Sequence, residues 1–401
     1  MKESALNEPK KVLTALALLA ASVLGYSVPA IWAAPSISGV QGSVSNGQSI
    51  TISGSGFGTT GPTIQIFDDF EKGTNGNVVS TAAGSAQINQ WAVSAEGTYS
   101  TDYAQSGTKG SKMNFNYSSE FPRIQKSINV GSGGEVFLSW WAYMPTNTSI
   151  PGTNGPEGGG PNWKLFWLFG TPFPKSDYVI TFLSNNSPIS NSQFTQADDP
   201  FGNNGPNMWC SDYNASYYYT SKFHKGTWTR YMVWMKGGQS NNGGGAAWEV
   251  NSYGFNAFLC SAALPSEGCS STYTQNNLTT QSTGNPWTTV GFPGFGRKDT
   301  SSVAYYDDIY VATSSGPGAH ARVEIGNNAT YTSCTNLAIT TPTSWSDTQV
   351  VTTIRQGGFK SGDTAYLFVI DANGNVNSQG YPVTISNTMR PSPPQNLRIV
   401  N

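Results

Sequence analysis

The sequence predicts an all-β fold assembled from sandwiches, and three observations lead there. Short apolar runs alternate with clusters of Gly, Asn, Ser and Thr along the chain, the pattern of many short strands joined by turns. No amphipathic helical stretch follows the first segment. Forty-five glycines, 12% aromatic residues and only 11% charged residues suit strands that pack face to face. At 401 residues the chain exceeds one typical domain, so two are expected.

The first segment has its own logic. Lys2, Lys10 and Lys11 precede a charge-free apolar run from Val12 to Leu24, and Ala30-Ile31-Trp32-Ala33-Ala34 follows. This is the order of a secretory signal, and residues 1–33 are assigned to it, with the cut after Ala33. A retained membrane anchor stays open, because the uncharged stretch continues to Ala34; Pro29 and the small residues favour cleavage. The expectation is a bacterial protein that is secreted or held at the cell surface, with no membrane span once the signal is removed. In that oxidising setting Cys260 and Cys269 are expected to form a local disulfide across Pro265 and Gly268. Cys210 and Cys334 are either free thiols or a longer bridge, and no cysteine has zinc-ligand spacing. A net charge of −2 without any Lys/Arg cluster excludes the electrostatic footprint of nucleic-acid binding.

After the signal, Ile50 and Ile52 alternate with polar neighbours before glycines 54, 56 and 58, which reads as a half-buried strand entering a tight turn. The string Ile-Thr-Ile-Ser-Gly-Ser-Gly-Phe-Gly, residues 50–58, resembles the opening of an IPT/TIG domain, an immunoglobulin-like sandwich. Residues 34–67 are too short to close one. The later strands of such a domain resemble Trp345–Val350, Gly362–Val369 and the Asp-Ala-Asn-Gly-Asn hairpin at 371–375. The expectation is one IPT/TIG-like domain, residues 34–67 and 319–387, interrupted by a second domain at 68–313 and followed by a proline-rich tail, 388–401. Two independent partial modules are the alternative.

The insert opens on Phe67-Asp68-Asp69-Phe70-Glu71 and closes on Tyr305-Tyr306-Asp307-Asp308-Ile309. Strands are legible at Glu135–Tyr143, Trp163–Phe169, Tyr178–Leu183, Thr227–Met235 and Ala247–Tyr253. The Gly226-Thr227-Trp228 strand and the Asp-Asp-Ile ending resemble concanavalin A-like and LamG-like jelly rolls, lectin-like or polysaccharide-lyase-like. That resemblance implies first and last strands lying side by side, and a fold shared by many functions.

Three chemistries follow. Asp69, Glu71 and Asp308 on adjoining terminal strands suit a structural Ca²⁺; solvated edge charges are the alternative. Trp163 and Trp167 are expected to share one face of their strand. Trp209, Tyr217 and Tyr219, set among polar residues, are the candidates for stacking on a glycan, whereas most strand tryptophans are expected in the core. Catalysis has few carriers. The Glu-x-Asp-x-x-Glu strand of jelly-roll glucanases is absent, and two histidines, His224 and His320, support neither a serine triad nor a zinc helix. A polysaccharide lyase needs a base and a group that neutralises a uronate carboxylate. His224, Tyr218, Arg123, Lys164 and Arg230 supply those types, although Lys225-Gly226 also reads His224 as a turn residue. The leading expectation is a secreted glycan-binding or surface-adhesion protein, non-catalytic, whose partner is an extracellular polysaccharide or surface glycan. The alternatives are a lyase cleaving an acidic polysaccharide, and a structural component of an envelope, fibre or virion.

Overall fold

The computed structural model describes residues 34–95, 97–114, 124–148, 163–170, 178–183, 189–197, 221–240, 242–261, 274–275, 280–281, 283–293 and 303–386. These residues belong to one compact unit. Among them the strands form four sheets, two large and two small, and the chain is all-β.

The seven-stranded sheet runs, from edge to edge, through Ser221–His224, Ile189–Ala197, Tyr178–Leu183, Trp163–Gly170, Trp287–Phe292, Ile124–Val130 and Val93–Ser94. The nine-stranded sheet runs through Thr274–Gln275, Gly254–Ser261, Gly244–Asn251, Thr229–Lys236, Glu135–Tyr143, Val303–Ser314, Gly110–Asn114 and Gly97–Ser100. Thr63–Asp68 pairs with Val303–Ser314, so the ends of residues 63–314 lie side by side. Aromatic rings fill the space between the two sheets. Trp140 stacks on Tyr231 with ring centres 5.5 Å apart and meets Phe292 edge-on at 5.3 Å, as their quadrupoles prefer.

The two small sheets face each other across a separate core of Ile50, Ile52, Val323, Val350, Leu367 and Val369. One contains Ser36–Gln41, Ser49–Ser55, Gln349–Thr353 and Thr341–Trp345; the other contains Leu337–Ile339, Arg322–Gly326, Thr364–Ile370 and Tyr381–Thr384. Ile52 pairs with Val350, so segments from both sides of the jelly roll share one sheet. Ile50 and Ile52 are buried and their neighbours more open, the alternation of a strand with one wet face.

The nine-stranded sheet has no wet face over its centre. Leu138, Trp140, Tyr231 and Val233 point into the jelly-roll core. On the opposite face Phe137, Met232, Trp234 and Trp248 pack against Leu337, Ile339, Phe368 and Ile370 of the small sheet. This double burial explains why Glu135–Tyr143 and Thr229–Lys236 are nearly continuous apolar runs without a period of two. Buried charges pin the contact. Arg230 donates from Nη2 to Glu324 Oε1 at 2.7 Å, Arg322 Nε donates to the same oxygen at 2.9 Å, and the Tyr331 hydroxyl donates to Oε2 at 2.6 Å. Burial alone would raise the Glu324 carboxyl, but Arg230 and Arg322 outweigh it and hold it below its usual range.

Two sequence-based details shift. The Thr227–Met235 strand spans Thr229–Lys236, and the Ala247–Tyr253 strand spans Gly244–Asn251, with Tyr253 in the hairpin turn. The shared face expected for Trp163 and Trp167 rests on the Trp163 side chain, which lies outside the described residues. The backbone of this strand carries a bulge at Leu165, where Phe182 pairs with Lys164 and Thr181 with Phe166.

Candidate functional site

The outward face of the seven-stranded sheet supplies the first part of the site. Gln125, Gly291 and Trp167 form one row across neighbouring strands, and Ser127, Thr289 and Phe169 form the next. The register continues from Trp167 through Ile180 to Thr195, and from Ile189 to His224. Because positions two apart share a face, His224 at the sheet edge belongs to the same face as Trp167. Lys164 lies in this sheet, its backbone paired with Phe182; its side chain is outside the described residues. So are Arg123, Trp209, Tyr217, Tyr218, Tyr219, Cys269 and the side chain of Cys260.

His224 meets the other sheet through Tyr253. Their rings stack with centres 3.9 Å apart and planes 20° from parallel. Tyr253 is held in the hairpin by its backbone N–H, which donates to Asn251 Oδ1 at 2.9 Å, an Asx turn. Gly254 follows at φ 144°, where a side chain would be strained. The Tyr253 ring remains 69% exposed. Beside it Asn256 Nδ2 donates to Glu249 at 3.1 Å. His224, Glu249, Asn251, Tyr253, Phe255 and Asn256 line an open cavity of about 490 Å³. Gly226, at φ 81°, turns the chain directly after His224, and Thr227 N–H donates back to the His224 carbonyl at 3.2 Å.

Of the sequence-predicted set, His224 alone is brought into this cavity among the described side chains. Arg230 is not. It is 1% exposed, donates to Ser139 and Glu324, and binds the sheets together out of reach of any polymer. Tyr253, Glu249, Asn251 and Asn256 are absent from the sequence-based set. The local signal was the Asn-Ser-Tyr-Gly turn, but its meeting with His224 is a product of the fold.

A smaller cavity, about 150 Å³, lies where the jelly roll meets the small sheets, lined by Asp69, Glu71, Ser106, Asp308 and Arg355 among others. Asp69 and Asp308 are nearly buried, and Asp308 Oδ1 accepts from Ser106 Oγ at 2.9 Å. Burial, reinforced by the charge of Asp69, pushes the Asp308 carboxyl up to about 7. Burial also raises Asp68 to about 7, against hydrogen bonds from Trp91 and Phe70, and lifts Asp307 well above its usual range with help from Asp308. Phe70 and Asp308 hold positive φ of 56° and 46°, strained for such residues. Glu71 is turned aside: its carboxylate accepts from Thr108 N, Thr108 Oγ1 and Lys109 N. Among the described residues no three His, Cys, Asp or Glu side chains form a metal-binding group. Asp69 and Asp308 bring two carboxylates to this cavity, while the Glu71 carboxylate is engaged by Thr108 and Lys109.

Cys334 is a buried free thiol, and burial raises it to about 11. No helix among the described residues is long and apolar enough to cross a membrane.

No family model and no curated protein matches the chain. Solved structures do match at low identity, and several are polysaccharide lyases. An alginate lyase is 13% identical, covering 61% of this chain and 95% of that one with a TM-score of 0.36. An endo-β-1,4-glucuronan lyase from Trichoderma reesei is 11% identical, with coverage of 63% and 96% and a TM-score of 0.35. A marine alginate lyase from Aplysia kurodai is 14% identical, with coverage of 55% and 87% and a TM-score of 0.32. Likenesses this distant carry no argument about chemistry.

Proposed function

We propose that the protein is exported and binds an extracellular polysaccharide at the His224–Tyr253 cavity. The observation that carries the reading is the exposed Tyr253 ring, stacked on His224 at the mouth of a polar cavity. An aromatic face takes the C–H side of a pyranose, and the Glu249 carboxylate and nearby amides exchange hydrogen bonds with its hydroxyls. The small sheets act as an immunoglobulin-like base, and Asp69 and Asp308 hold a structural Ca²⁺ that neutralises buried charge. Affinity electrophoresis in gels containing alginate, glucuronan, pectin or neutral glucans tests the reading. Retardation by at least one polymer is expected, weakened about three- to tenfold in Tyr253→Ala, the range of one aromatic contact. No retardation by any polymer overturns it.

A second reading is favoured by the same pair. A histidine touching a tyrosine supplies a base and an acid for β-elimination of a uronate polymer. His224 would take the proton beside the carboxyl group while the Tyr253 hydroxyl protonates the departing glycosidic oxygen. Ultraviolet absorbance from unsaturated chain ends, lost in His224→Ala, would place elimination above binding.

A further inference from the structure

The outer face of the nine-stranded sheet continues past the area covered by the small sheets, and aromatic rings gather there. Tyr143 and Tyr305 pair directly across neighbouring strands. Both alternate with core-facing residues, Ala142 and Tyr306, so they point outward. Tyr103, from the loop before Gly110–Asn114, stacks on Tyr143 at 4.4 Å and meets Tyr305 edge-on at 4.8 Å. Trp228 tilts against Tyr143 at 5.3 Å.

This cluster is built, not incidental. The Tyr305 hydroxyl donates to Asp102 Oδ2 at 3.1 Å, and Lys112 Nζ donates to the same oxygen at 2.8 Å. Lys112 also lies 5.8 Å from the centre of the Tyr305 ring. Charge and hydroxyls thus fix the inner ring and leave Tyr103 on top, 38% exposed. The exposed large hydrophobic residues of the described chain are Val78, Val93, Tyr103 and Tyr253. The two aromatic ones are Tyr253, in the cavity already described, and Tyr103.

We infer that the Tyr103–Tyr143–Tyr305–Trp228 cluster is a second polysaccharide-binding surface, which takes a pyranose ring on Tyr103 with Asp102 and Lys112 at its polar rim. One exposed ring with a neutral pair of opposite charges suits sugar hydroxyls. It falls far short of the apolar area that a stable protein partner requires. Trp228 is four residues from His224 and joined to it by the Gly226 turn. The inference rests on the polysaccharide reading for the identity of the ligand.

The test compares Tyr103→Ala and Tyr253→Ala by affinity electrophoresis on the retarding polymer, with melting curves to show that both variants fold. Tyr103→Phe serves as the conservative control. The expected result is a several-fold loss of polymer affinity in Tyr103→Ala, retention in Tyr103→Phe, and a separate loss in Tyr253→Ala. A Tyr103→Ala protein that binds like the parent, while Tyr253→Ala binds weakly, overturns this second surface and leaves the first reading standing. Loss in Tyr103→Ala alone overturns the cavity and keeps this surface. Unchanged binding in both variants overturns the two together.

Discussion

Replacing Glu324 with glutamine would test the contact that joins the nine-stranded sheet to the small sheet behind it. The carboxylate is fully buried and accepts from Arg230, Arg322 and Tyr331 at 2.7, 2.9 and 2.6 Å. Glutamine keeps the volume but removes the charge, and its amide leaves one acceptor oxygen where the carboxylate had two. Two arginines, 1% and 0% exposed, would then lose the carboxylate they share in the interior. Removing one partner of a buried ion pair costs about 3–5 kcal/mol. The Glu324→Gln midpoint in urea should therefore fall steeply, with a slope near that of the parent if the native state stays intact. The pH dependence has a definite sign. A carboxyl held below its unfolded value adds stability above that value, and this is lost as pH falls through the folded pKa. The parent should lose stability there and Glu324→Gln should not show that component. A loss below about 1 kcal/mol, the worth of an exposed pair, would refute the argument that the triad closes the junction.

Further predictions concern other groups. Asp68 and Asp308 have folded pKa values raised from 3.8 to about 7; raised carboxyls stabilise at low pH, so in chelator the melting temperature should fall between pH about 4 and about 7. A flat profile in chelator would contradict this, whereas added Ca²⁺ should flatten it by favouring the charged forms. The Cys334 thiol, raised to about 11, should resist iodoacetamide in the native protein and react after denaturation, as read by mass spectrometry. Gly73→Ala would drive a Cβ to 2.3 Å from the Tyr99 ring and should destabilise by about 1–3 kcal/mol, measured by thermal melting.

Much of the architecture was legible because strands announce themselves through composition and turns. Glu135–Tyr143 and Tyr178–Leu183 fall where the apolar runs place them. The terminal pairing was implied by the jelly-roll resemblance, and Thr63–Asp68 does lie against Val303–Ser314. What was not legible depended on partners distant in sequence. Arg230 looks like a free cation until Glu324, on another sheet, is placed beside it. Tyr253 looks like a strand end until the fold brings His224 onto its ring. The Leu165 bulge leaves no mark in the residue pattern, yet it shifts the pairing of its strand with Tyr178–Leu183 by one residue. Residue types were readable; convergence was not.

The nine-stranded sheet, apolar on both sides, has a consequence for dissecting the molecule. A recombinant fragment limited to residues 68–313 would carry Phe137, Met232, Trp234 and Trp248 into water, with Arg230 stripped of its counter-ion. Such a fragment should aggregate or form inclusion bodies, whatever its intrinsic affinity for a polymer. The small sheet that covers the back of the jelly roll thus belongs in any fragment meant to stay in solution.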